Sequence, residues 1–207
     1  MGRRTPCEYN QRARDLRFME GPFVTPEELA QKLHAVPGRG CVVVTGAGIR
    51  AISDLFTQPG TSRTILEALV PYARKALDEF VGVRANQHVS AEEAMLIAES
   101  ALKRAQHLVE DGDPEQLLFG VGCTAAVATD RVRRGEDRAH VAWVVGGKSG
   151  GKQSGGASIW FDKNARTRAE EDAIVSAIVM NSIAEAIGVE ERLTVDLLDT
   201  ERLDEFD

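Results

Sequence analysis

Cys41-Val42-Val43-Val44-Thr45-Gly46-Ala47-Gly48-Ile49-Arg50-Ala51-Ile52 is the stretch whose reading decides the fold. Cys41 to Val44 suits a buried strand, Thr45-Gly46-Ala47-Gly48 suits a turn, and Ile49, Ile52, Leu55 and Phe56 then recur at helical spacing. The pattern is strand, glycine turn, helix. Backbone N–H groups at the start of such a helix have no partner inside it, and the helix dipole adds partial positive charge there. The turn is therefore expected to cradle an anion. An ordinary strand-to-helix connection, with glycines that only serve the turn, reads equally well from this stretch alone.

The flanking sequence supplies further elements. Thr25-Pro26-Glu27-Glu28 is a capping box with proline at the first helical position, and Leu29, Leu33 and Val36 give that helix an apolar face before Pro37-Gly38 stops it. After the central helix, ended by Gln58-Pro59-Gly60-Thr61-Ser62, Ile65 to Tyr72 reads as a short strand and Ala73 to Gly82 as helical. Ser90-Ala91-Glu92-Glu93 is a second capping box, opening a helix to about Glu110 with a face of Ala94, Ile97, Ala98, Ala101, Leu102 and Leu108. Leu117 to Gly122 is a buried strand leading into Cys123-Thr124-Ala125-Ala126, and Ala139 to Val145 and Ala157 to Phe161 are two more. The last helix spans Arg168 to Ile187, closed by Gly188. Gly146 to Gly156, which includes Lys148-Ser149-Gly150-Gly151-Lys152, lacks the order of a phosphate loop and reads as a flexible linker.

Strands separated by helices predict an α/β fold, a three-layer α/β/α sandwich with a largely parallel or mixed central sheet. The domain is placed at 23–189, between an Arg-rich N-terminal arm at 1–22 and an acidic C-terminal tail at 190–207. Ligands of such sheets lie beyond the carboxyl ends of the strands, which selects Thr45 to Gly48, Tyr72 and Gly122 to Thr124 to share one crevice.

Composition narrows the function. With 207 residues, 43% hydrophobic and 28% charged, the chain can bury one sizeable core. A net charge of −7 argues against general nucleic-acid binding, which needs a basic face. The three cysteines, Cys7, Cys41 and Cys123, lack metal-ligand spacing and read as reduced thiols, the latter two buried. No apolar segment approaches membrane-spanning length and residues 1–17 are too charged for a signal peptide, so a cytoplasmic location without membrane attachment is expected. Neither a metal nor a cofactor is expected. The densest cationic stretch, Thr129 to His140, offers Arg131, Arg138 and His140 as phosphate clamps; a solvated loop pairing its arginines with Asp130, Glu136 and Asp137 reads equally well. His34, His88 and His107 read as packing or surface residues.

Two resemblances bear on the central motif. Val42-Val43-Val44-Thr45-Gly46-Ala47-Gly48-Ile49 is similar to the opening of the sirtuin NAD-binding domain, and Gly46-x-Gly48-x-x-Ala51 meets the loose dinucleotide fingerprint. The paired cysteines and catalytic histidine of a sirtuin are missing, and Glu67, at the separation where a dinucleotide domain wants an acid, falls inside its strand. The longer resemblance, from about Leu29 to Gly188, is to the C-terminal domain of the CinA family, whose members include nicotinamide mononucleotide deamidases. It rests on Pro59-Gly60-Thr61-Ser62, Tyr72, Val81-Gly82-Val83 and Val89-Ser90-x-Glu92-Glu93-Ala94.

That resemblance implies a small phosphorylated ligand, a pyridine nucleotide, whose amide is hydrolysed to nicotinate mononucleotide and ammonia, and it implies a homo-oligomer, a homodimer by analogy. The family's catalytic Ser falls on Thr45 and its Tyr on Tyr72, which become the candidate catalytic pair, while its catalytic Lys falls on Leu77. The family's Val-Thr-Gly-Ile-Ala-Gly loop corresponds to Gly120 to Ala126. Candidate ligand contacts are therefore Thr45, Gly46, Ala47, Gly48, Tyr72, Cys123 and Thr124, joined by Arg131, Arg138 and His140. An arginine of the family near the last helix has two possible counterparts, Arg166 and Arg168. Leucine takes no proton from a hydroxyl nucleophile. Lys75 lies about 200° round the helix from Leu77, so with Arg74 it points elsewhere. Thr45 equally suits a helix cap or a hydrogen bond to a ligand. Three classes stay open: an amidohydrolase with a rebuilt site, a catalytically inactive ligand-binding or regulatory protein, and an NAD-binding Rossmann-type enzyme.

Overall fold

β1 (Arg39–Thr45) is buried from Gly40 onward, as an unbroken apolar run requires of a strand covered on both faces. In the computed structural model, which describes residues 21–109, 117–131, 133–146 and 151–207, β1 lies inside a six-stranded sheet. Most of the arm, with Cys7, and residues 148–150 of the linker lie outside the described residues.

The elements follow as α1 (Pro26–Leu33), β1, α2 (Ile49–Phe56), a 3-10 turn at Thr61–Arg63, β2 (Ile65–Leu69), α3 (Arg74–Val81) and α4 (Ala91–Leu108). After them come β3 (Leu118–Ala126), β4 (Arg138–Gly146), β5 (Gln153–Trp160), α5 (Arg168–Ile187) and β6 (Arg202–Phe206). Strand order is β2-β1-β3-β4-β5-β6. β1 pairs in parallel with both β2 and β3, and the remaining pairs are antiparallel, so the sheet is mixed. α1, α2 and α5 cover one face through Leu29, Leu33, Ala51, Leu55, Val175 and Ile178, packed on Val42, Val44, Val121 and Val141. α3 and α4 cover the other, where Leu77, Ile97 and Ala101 meet Cys41 and Val43, and Ala94, Ala98 and Leu102 meet Ala142 and Val144. This is a three-layer α/β/α sandwich.

Two segments differ from the sequence reading. Residues 190–207, read as an acidic tail, carry β6, paired antiparallel with β5 from Trp160–Arg202 to Gly156–Phe206. An edge strand buries one flank only, so its weak alternation hid it. The linker is also shorter than its glycines suggested, because β5 begins at Gln153 and Gly155 and Gly156 lie within it.

α4 approaches β3 so closely that side chains on Gly120 and Gly122 have no room. A Cβ on Gly120 would stand 2.2 Å from the Ala98 carbonyl oxygen and 2.3 Å from the Leu102 nitrogen. Gly120→Ala is therefore expected to lose about 1–3 kcal/mol in a urea unfolding series. Gly135→Ala, where a Cβ meets nothing within 4 Å, is the control that leaves stability nearly unchanged.

Candidate functional site

The glycine turn after β1 is built by close packing. Gly46 and Gly48 take φ values of 88° and 90°, and a Cβ on Gly46 would lie 2.0 Å from the carbonyl oxygen of Ala125 at the end of β3. The turn thus sits against the end of β3, at the carboxyl ends of the parallel strands, where sheets of this kind take their ligands.

Its amides are not open to solvent anions. Asp172, in the first turns of α5, accepts from the Gly48 and Ile49 amides at 2.8 and 3.2 Å through Oδ1, and from the Arg50 amide at 3.4 Å through Oδ2. At Gly48, and at the two amides that follow it, the expected open donors are therefore met by a carboxylate of the protein itself. A charged side chain at the start of α2 satisfies the same donors and dipole that a phosphate would.

Arg168 occupies the other side of the turn. Its Nη2 donates to the Gly46 carbonyl at 2.8 Å and lies 3.4 Å from the Tyr72 hydroxyl, while Nη1 donates to the Ala128 carbonyl at 3.0 Å. One guanidinium thus gathers the Thr45 turn, Tyr72 and the segment after β3. Tyr72 is 64% exposed beside it. Arg166 is committed elsewhere, held by Glu201 through Nε at 2.7 Å and Nη2 at 2.8 Å, and donating to the Asp196 carbonyl at 2.7 Å. Of the two arginines the resemblance offered, Arg168 alone bonds the glycine turn.

The remaining candidates separate. Thr45, Thr124, His140 and Ser158 are in register across β1, β3, β4 and β5, a polar row facing α4. Thr124 donates its hydroxyl to the His88 carbonyl, and Arg138 donates to the Val89 carbonyl at 3.1 Å, so both fasten the segment before α4 over the row. His140 is buried, its Nδ1 2.7 Å from the Ser158 hydroxyl and its ring edge-on to Trp160. Burial, with a smaller push from Arg138, lowers its pKa to about 4, so it is neutral near pH 7 and brings no cation to a phosphate. The Cys123 thiol points at the Ala47 carbonyl, 3.6 Å away, and burial pushes its pKa up, which leaves it an inert thiol. Arg131 is exposed on the loop after β3. Leu77, where the resemblance would put the family's lysine, is a core residue at 3% exposure, and Lys75 pairs with Glu79 on the outer face of α3 at 3.7 Å.

Three functional-looking groups escaped the sequence reading. Asp172 looks like any acid in the first turns of a helix, and no local signal marks it. His88, read as a packing or surface residue, places Nε2 3.0 Å from Asp78 Oδ1, joining the segment before α4 to α3. Glu93 carried a signal that its capping box obscured: the Ser90 hydroxyl accepts from the Glu93 amide at 3.1 Å, but the side chain does not return the bond. It is 2% exposed, with Oε1 buried and unpartnered. Among the described residues no group of three or more His, Cys, Asp or Glu could hold a metal ion, and no helix is long and apolar enough to cross a membrane.

These features define an α/β/α domain with a mixed sheet, whose glycine turn lies at the carboxyl ends of its parallel strands. The fold is CinA-like. The competence/damage inducible protein CihA from Agrobacterium tumefaciens superposes with a TM-score of 0.52 at 17% identity, over 81% of this chain and 97% of that one. A CinA superfamily protein from Escherichia coli gives 0.50 at 18% identity, over 78% and 88% of the two chains. A competence or damage-inducible protein from Enterobacter asburiae gives 0.50 at 18%, over 80% and 98%. The likeness is one of fold. No protein-family profile matches the sequence, and no curated protein does.

Two outcomes follow from the geometry. Asp172→Ala strips the charged acceptor from three amides and is expected to lower the unfolding free energy by about 1–3 kcal/mol, read by chemical denaturation. His140 is held neutral when folded but titrates near 6.5 when unfolded, so the unfolded state binds more protons below that pH. Stability should fall as the pH drops from 6.5 toward 4, and His140→Gln should flatten that part of a pH series of unfolding midpoints.

Proposed function

We propose that the chain binds a small phosphorylated ligand, a pyridine nucleotide, at the mouth where Arg168, Tyr72 and the Thr45 turn meet. The observation that carries this reading is the position of Arg168, a planar cation at the strand ends beside an exposed aromatic hydroxyl. With the α2 amides taken by Asp172, a phosphate is best met by side chains, and Arg168 is a cation that the turn itself positions. The same occupancy weakens the Rossmann-type alternative, whose pyrophosphate needs those amides free.

Hydrolysis of nicotinamide mononucleotide to nicotinate mononucleotide and ammonia is the reaction that likeness to CinA-type deamidases suggests for such a site. Thr45, at the end of β1, is the residue that the resemblance aligns with the family's serine nucleophile. The specific observation favouring a ligand-binding protein without turnover is Leu77, a core residue where the resemblance would put the family's lysine.

Thermal unfolding with nicotinamide mononucleotide, nicotinate mononucleotide, NAD and inorganic phosphate tests the binding. A mononucleotide at about a hundred times its dissociation constant should add roughly 2.7 kcal/mol of stability. Arg168→Lys, which keeps the charge but loses the fork, should weaken that binding about tenfold in titration calorimetry. A stabilisation by NAD with none by either mononucleotide would overturn the assignment.

A further inference from the structure

The lysine is missing from the position of Leu77, yet a titratable group stands in its neighbourhood. Leu77 packs with Val43 and Ile97 in one cluster between α3, α4 and β1. Glu93 precedes Ile97 by one helical turn and so projects from the same face of α4. Thr45 follows Val43 by two residues and so lies on the same face of β1. The registers fix the level: Gly122, beneath Ala94 and Ala98, pairs with Val43, and Thr124 pairs with Thr45. The first turn of α4 therefore covers the end of β1 that carries Thr45.

The carboxylate there is not serving its helix. Thr25 with Glu28, and Thr167 with Glu170, form complete capping boxes, the glutamate returning a bond to the cap amide. Glu93 occupies the equivalent position after Ser90 and makes no such return, turning instead into the protein with Oε1 buried and unpartnered. A buried acid oxygen without a partner is costly and calls for a group to meet it. Burial does most to raise its pKa, Asp78 and Glu92 push the same way, and only His88 opposes them by favouring the charged form. That moves a carboxyl toward the range where it accepts and returns a proton near neutral pH.

We propose that Glu93 is the general base of an amide-hydrolysing site in which Thr45 is the nucleophile, standing in for the lysine absent at Leu77. This rests on the pyridine-nucleotide reading above. Glu93 takes the Oγ proton as Thr45 bonds to the amide carbon, and returns it to the amide nitrogen as the C–N bond breaks and ammonia leaves. Water then gives a proton to the same carboxylate while its oxygen attacks the threonyl ester. The acid product departs, and the proton passes back to Thr45.

The test measures ammonia release and calorimetric affinity on the full chain with nicotinamide mononucleotide. Wild type should release ammonia, and Glu93→Gln should lower release by about 10²-fold or more while affinity stays within about twofold. Thr45→Ala should abolish release. Glu93→Asp, which keeps the acid but withdraws it by one methylene, should lose release with binding intact, and it stands in if the glutamine variant does not fold. Release by Glu93→Gln equal to wild type, or a wild type that binds the mononucleotide and frees no ammonia, overturns the base and leaves the ligand reading standing. Failure to bind the mononucleotide overturns both.

Discussion

The carboxylate of Asp172 at the first amides of α2 is the contact on which the site depends. Asp172 and Arg168 are four residues apart and share one face of α5, and between them they grip the turn after β1 from both polarities. The acid takes the amides of Gly48, Ile49 and Arg50, and the guanidinium takes the carbonyl of Gly46. The amides that open α2 are thereby used to dock α5 against α2.

What was legible in the sequence was local. α5 spans Arg168–Ile187 with Gly188 in the left-handed conformation, as its closing glycine indicated, because such a stop signal acts within a few residues. The strand and turn around Thr45 came from the same kind of signal. β3 runs four residues beyond Gly122, through Cys123 and Thr124 to Ala126, because pairing with β1 and β4 holds residues whose own propensities do not demand a strand. β6 was lost for the complementary reason, being an edge strand whose only partner is remote in sequence.

At the site, sequence could nominate residue types but not their commitments. Arg166 and Arg168 are indistinguishable two positions apart, yet one is bound to Glu201 and the other reaches the turn. His140 sits in a cationic stretch and looks like a clamp, but its strand parity points it inward beneath α4, where desolvation keeps it neutral. Asp172 was invisible because its partner lies 124 residues away.

Two buried glutamates at helix starts show why an inward acid is not by itself a reactive one. Glu171 accepts from the Ala128 amide at 2.6 Å and lies near Asp137 and Glu201, acids that Arg133 and Arg166 hold in ion pairs. Its carboxylate ties the loop after β3 to α5, so its burial is answered by a bond and by nearby counter-charge. Glu93 has no such bond to its Oε1, and the group nearest in charge balance, His88, is itself held by Asp78. Burial raises the pKa of both acids, but only at Glu93 does an oxygen remain unmet on the face that carries Thr45. Glu171 also has an unpartnered oxygen, but it belongs to the opposite helical layer, across the sheet from the threonine row. The difference between a structural acid and a proton carrier is thus set by which face of the sheet each helix covers, and α4 covers the one that ends in Thr45.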